Sequence, residues 1–216
     1  MTSGFDIPWL SESAIRKRAA AFLAEAHPAG DIPVPIESIV ERAGVDIVPI
    51  PGLHTNYDVD GFTSGDGQTI YVDARVSEEV ETRYRFTLAH EMGHIILHQS
   101  LLNQTRTQFS SLAAWVEFLR HIPEPLRGRA EWQAYAFAGL ILVPTNYLIA
   151  EHSNVLPQIK ELLTQAVAQG ASIAEAKGFA WDELAARLAG PFLVSRDVVL
   201  KRLQSEGLTA DGFGTP

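Results

Sequence analysis

The chain has no cysteine among its 216 residues. Disulfide stapling and thiolate ligation are thereby excluded, and any bound metal has to rest on histidine and carboxylate. Basic residues are few: 17 Lys and Arg against 26 Asp and Glu leave a formal net charge of −9. That balance argues against a general affinity for nucleic acid or anionic membranes, with only a local basic patch left open. The longest apolar run, residues 134–144, falls well short of the roughly 20 residues a spanning helix needs. The first ten residues show neither a basic n-region nor an apolar h-region, so no secretory signal is expected. Internal repeats and low-complexity segments do not stand out. What is present is an ordinary globular composition, 46% hydrophobic and 20% charged. The length suits one compact domain, or a domain with a small appendage, and is enough to bury a core. A soluble cytoplasmic protein is the expectation.

Against that background one stretch concentrates chemistry. Residues 85–98 read Arg-Phe-Thr-Leu-Ala-His-Glu-Met-Gly-His-Ile-Ile-Leu-His and contain H-E-x-x-H at His90, Glu91 and His94. Two histidines at i and i+4 share a helix face one turn apart, so their imidazoles can converge on one ion. Glu91 is rotated by roughly 100° from His90, which suits it to hold a water beside the metal rather than the metal itself. His98 continues the stripe but lies about 12 Å along the helix axis from His90, too far for both to reach one ion. A supporting or structural role is expected for it. Glu117 and His121 form a second i, i+4 pair that nothing in the sequence places near the first. His27, His54, His121 and His152 are expected on the surface or in loops. Tyr135, His121, Tyr57 and His54 all remain candidate donors to a developing oxyanion.

The rest of the chain supplies a frame. Ser11 caps an expected helix carrying Ile15, Ala19, Phe22 and Leu23 at helical spacing, and a short helix with Ile36, Ile39 and Val40 follows. Residues 45–50 read as a strand. Residues 61–63 and 69–72 read as a hairpin turned by Ser64-Gly65-Asp66-Gly67. Zinc peptidases commonly lay an extended substrate along an edge strand beside the metal, and residues 69–72 are the expected edge. Residues 99–129 read as an insertion near the mouth of the site, with an apolar helical piece at 112–119 that could serve as a lid. A helix over residues 130–142, apolar on nearly every face, ends at Pro144. Further helices are expected over 156–167, from Trp181 or Asp182 to Leu188, and from Ser195 towards Gly207.

Residues 85–98 resemble the active helix of the ImmA/IrrE family of metallopeptidases, commonly R-F-T-x-A-H-E-x-G-H-x-x-x-H. A second block of that family, E-x-x-A-x-x-F-A-x-x-L-L-x-P, is matched by Glu131, Ala134, Phe137, Ala138, Ile141, Leu142 and Pro144. The resemblance extends from about residue 14 to residue 208, and it implies an α+β, zincin-like, gluzincin-type core over residues 1–150. In such a core a small antiparallel or mixed sheet precedes the active-site helices. A C-terminal helical subdomain over 151–216 would have helix-turn-helix-like spacing. Glu131 takes the family position of the third metal ligand, where a carboxylate near the start of an apolar helix would be costly if unpaired. The family commonly has Asn four residues later, able to hydrogen-bond a ligand histidine; Tyr135 stands there instead, with a different reach.

The resemblance further implies a zinc-dependent cytoplasmic endopeptidase, with manganese or iron as alternative ions. Its protein substrate or partner would be a helix-turn-helix repressor, in stress-response, mobile-element or toxin–antitoxin regulation. Two readings of other classes stand beside it. One is a DNA-binding regulator working through the C-terminal helices, against which Asp182, Glu183, Asp197 and Glu206 balance Arg187, Arg196, Lys201 and Arg202. The other is a metal-bound interaction module that cuts nothing. Direct nucleic-acid contact and membrane contact are not expected.

Overall fold

A computed structural model gives the architecture; it describes residues 7–105, 114, 117, 118 and 121–213. The chain divides into two compact units, Met1–Ile141 and Leu142–Pro216, where the sequence reading sets the boundary after residue 150.

The first unit opens with α1 (Glu12–Ala26), which starts where expected because the Ser11 side chain accepts a hydrogen bond from the Ala14 amide at 3.2 Å. Helix α2 (Ile36–Arg42) buries Ile36, Ile39 and Val40. Strand β1 (Asp46–Ile50), the short helix α3 (Leu53–Tyr57), β2 (Gly61–Thr63) and β3 (Thr69–Asp73) come next. The hairpin turn is built as its residues dictate. Ser64 Oγ lies 2.6 Å from Asp66 Oδ1, the amides of Gln68 and Thr69 donate to these two side chains, and Gly67 takes the left-handed conformation at φ 71°.

The sheet order is β1-β3-β2, with β1 parallel and β2 antiparallel to β3. This corrects the expected edge: residues 69–72 lie in the central strand, and β1 and β2 are the two edges, of which β2 lies against the Glu81–Leu97 helix. The hairpin signal pairs β2 with β3 but carries no information about which side receives β1. Asp73 closes the sheet as an N-cap. Its Oδ1 accepts from the Arg75 and Val76 amides that begin α4 (Ala74–Glu79), and Oδ2 accepts from the His54 amide at 2.9 Å. Asp73→Ala should therefore cost about 2 kcal/mol of unfolding free energy, losing a cap and stranding a buried donor. Urea unfolding with an unchanged m-value is the check.

Helix α5 (Glu81–Leu97) lies on β2 and β3, over the buried Ile70 and Val72, and buries Leu88, Ala89 and Met92 against them and α2. Arg85, itself buried, fixes it to the preceding segment by donating to Val34 O at 2.8 Å. Helices α6 (Gln99–Thr105) and α7 (Glu124–Leu142) complete the unit. Helix α7 starts six residues before the expected residue 130, since Pro125 in a first helical turn gives up an amide that has no intrahelical partner. The piece at 112–119, and with it the lid reading, falls mostly outside the described residues.

The second unit contains α8 (Thr145–Ala168), α9 (Ile173–Phe192), α10 (Arg196–Ser205) and a 3-10 turn at Ala210–Phe213. The expected helices at 156 and 181 are the later parts of α8 and α9. Helix α9 begins at a Ser172–Glu175 capping box and runs on through Gly190 and Pro191, ending at Leu193 with φ 53°. The Ser195 cap of α10 is present. Among the described residues no single helix is long and apolar enough to cross a membrane.

Candidate metal centre and active site

Helix α5 carries His90, Glu91 and His94 in one and a half turns, and their ligand atoms lie within 4.8 Å of one another. Helix α7 brings up Glu131. Its Oε2 is 3.0 Å from His90 Nε2 and its Oε1 is 3.5 Å from His94 Nε2, while the two Nε2 atoms are 3.1 Å apart.

Two small residues permit this approach. A Cβ placed on Gly93 would come within 3.0 Å of both Cα and O of Ala134. Gly93 lies next to His94, and Ala134 lies one turn along from Glu131. The contact between the helices thus sets the separation of the facing side chains.

The donor set fits a divalent cation. Ligands bound at about 2.0–2.1 Å in a tetrahedral arrangement stand about 3.3 Å from each other, close to the three separations observed. Charge agrees with geometry. Burial works to raise the Glu131 carboxyl, but its hydrogen bonds with His90 and His94 and their nearby charge prevail and hold it well below the usual carboxylate range. Burial works to lower His94, yet the bond to Glu131 and the charges of Glu91 and Glu131 leave it raised. The pocket favours positive charge at the point where these atoms meet.

Glu91 is buried, and its Oε2 accepts a hydrogen bond from Thr63 Oγ1 at 2.8 Å. Thr63 ends the edge strand β2, so the sheet itself aims this carboxylate. No motif announces that contact, because the two residues are 28 apart in sequence. His98 is buried and bridges two residues: its Nδ1 is 3.0 Å from His94 Nδ1 and its Nε2 is 3.0 Å from Gln133 Oε1. Burial, followed by the nearness of His94, pushes its pKa down to about 4.

These groups line a cavity of about 430 Å³, walled by Phe62, Phe86, Leu101, Leu102, Ile122 and Tyr135. Tyr135 packs on Phe86 with ring centroids 4.8 Å apart. The other candidate donors lie off this wall. His54 pairs with Asp60 at 3.0 Å, Tyr57 packs in the core beside Leu53 and Phe62, and His121 is exposed beside Glu117. His27, expected at the surface, is buried with its Nε2 2.8 Å from Asp31 O.

Residues 40–204 match the family model described as the IrrE N-terminal-like domain, peptidase M78. The chain belongs to this family. A comparison with curated proteins gives no match. Within the IrrE-like peptidase family the match runs from α2 into α10, so it takes in part of each compact unit. Membership and the His90–Glu91–His94 group together support a metallopeptidase-type function.

Proposed function

We propose that the chain is a zinc-dependent endopeptidase in which His90, His94 and Glu131 hold the metal and Glu91 is the general base. The observation that carries this is the convergence of two imidazoles and a carboxylate from a second helix, beside a buried glutamate, on one cavity wall. A divalent cation held there supplies Lewis acidity that polarises a carbonyl and acidifies water.

The chain's own groups do the remaining work. Glu91 takes a proton from the attacking water and returns it to the leaving amine. Thr63 donates to Glu91 Oε2 and so holds the carboxylate in place on the cavity wall. Strand β2 offers a docking edge for the peptide. Flanking β2, Asp60 O accepts from the Asp73 amide and the Ser64 amide donates to Thr69 O, so by antiparallel alternation Gly61 and Thr63 direct their backbone groups away from β3. An extended substrate pairing there would lie along the site. The aliphatic and aromatic walls favour apolar side chains on either side of the scissile bond.

Thr63→Val should retain metal and fold while kcat falls about tenfold with little change in KM, the loss of one hydrogen bond to a charged group. Steady-state cleavage of a fluorogenic peptide is the check.

The substrate class we infer is a helix-turn-helix repressor, supported by the resemblance of residues 85–98 and 131–144 to the ImmA/IrrE blocks. The C-terminal unit is poorly equipped for DNA binding. Arg202 is buried, donating to Val143 O and pairing with Glu206, and Arg187 is paired with Glu183. Neither is free to neutralise phosphate. Co-expression with a helix-turn-helix repressor encoded nearby tests the proposal. Cleavage by wild type and not by Glu91→Ala supports it, and an intact repressor co-purifying with both forms points instead to a binding module.

A further inference from the structure

A chain of polar contacts leads from the metal site to the backbone of residues 7–10, and its donors and acceptors can run in only one direction. We infer that the Pro8 carbonyl, acting through Gln133 and His98, fixes the tautomer and orientation of His94, making Gln133 and His98 positioning residues for the metal site. The inference rests on the reading of His94 as a ligand.

The polarity is set at the far end. Gln133 Nε2 lies 2.9 Å from Pro8 O. A carbonyl only accepts, so the amide nitrogen must face it and Oε1 must face the other way. That oxygen lies 3.0 Å from His98 Nε2, which therefore carries a proton. His98 is buried, with an uncharged amide at one ring nitrogen and an imidazole at the other, and such a ring is neutral. Its Nδ1 is then an acceptor. His94 Nδ1, 3.0 Å away, has to donate to it. As a metal ligand His94 is neutral, and with its one N–H at Nδ1 its Nε2 offers the ion a lone pair on the side facing His90 and Glu131. Reversing the chain would set the amide oxygen of Gln133 against the oxygen of Pro8.

The anchor is itself well held. Arg129 donates to Ile7 O at 2.6 Å, and Ile7 is buried beside Leu101, Ile122 and Ala130. Trp9 stacks on Trp132, with ring centroids 5.1 Å apart and planes 5° from parallel. Arg129, Trp132 and Gln133 all belong to α7, the helix that presents Glu131. The seating of residues 7–10 on α7 is thereby coupled to the state of His94.

The test is made on the full chain. Zinc affinity by chelator competition is expected to weaken about tenfold to a hundredfold in His98→Leu and about tenfold in Gln133→Met. His98→Gln, whose amide can accept from His94 and donate to Gln133, is expected to stay within about threefold of wild type. Ring ¹⁵N spectra of metal-free wild type, which need no variant to fold, should show His94 protonated at Nδ1 and His98 at Nε2. The opposite tautomers, or wild-type affinity in a folded His98→Leu, would overturn the inference. If wild type binds no zinc, or His94→Ala binds it as tightly, the metal-site reading fails instead, and the ring spectra still decide whether the relay exists.

Discussion

Glu91→Gln is expected to keep its metal and lose hydrolysis, with kcat/KM falling about a thousandfold, within the range for removal of a general base. The substitution preserves volume and leaves Thr63 an oxygen to bond, so the wall between β2 and α5 stays packed. What disappears is the ability to accept a proton from water. His90, His94 and Glu131 are untouched, so stoichiometric metal should persist. Metal analysis alongside peptide cleavage separates the two properties. A variant that loses metal in step with activity would show Glu91 to be a ligand, contrary to the role given it.

Gly93→Ala is expected to act on the site through the backbone. In an isolated helix the change would stabilise by about 1 kcal/mol. Here the added methyl meets Cα and O of Ala134 at 3.0 Å, and neither is the end of a flexible side chain. The two helices must separate, at an overpacking cost of about 1–3 kcal/mol that cancels or outweighs the propensity gain. Global stability should thus fall by no more than about 2 kcal/mol. Glu131 moves with α7, however, and displacement of a ligand by even a fraction of an ångström is felt directly. Metal affinity should fall about a hundredfold, the scale of penalty attached to misplacing a reacting group by about 1 Å. Chelator competition beside a thermal melt checks both halves; wild-type affinity in Gly93→Ala would mean that the close approach does not set the ligand geometry.

The contrast between these two residues shows what could be read from the chain. H-E-x-x-H is local: its spacing alone puts His90 and His94 on one face and turns Glu91 aside. Glu131 is distant, and only the likeness of residues 131–144 to a known block picked it out. Gly93 was visible as part of the motif, but its packing purpose needed the position of Ala134. The hairpin could be read from Ser64 to Gly67, whereas the place of β1 could not, since a parallel partner leaves no mark on the strand it joins. That is why the sequence pattern points to residues 69–72 as an edge, whereas residues 61–63 form the edge beside α5. Thr63, Gln133 and Pro8 were missed for a related reason: each is an ordinary residue given its role by a partner at least 28 positions away. The helix start expected at 130 lies earlier because Pro125 is accepted in a first turn, whereas the start expected at 156 lies earlier because α8 carries Pro157 in its interior.

The proposed chemistry depends on one ion held by His90, His94 and Glu131. The zinc K-edge absorption spectrum of the reconstituted protein tests this most directly. The expected result is one zinc per chain in a four-coordinate nitrogen and oxygen shell near about 2.0–2.1 Å, with the outer-shell scattering of two imidazoles, and loss of one oxygen neighbour in Glu131→Ala. A six-coordinate all-oxygen shell, or a spectrum unchanged by Glu131→Ala, would contradict it.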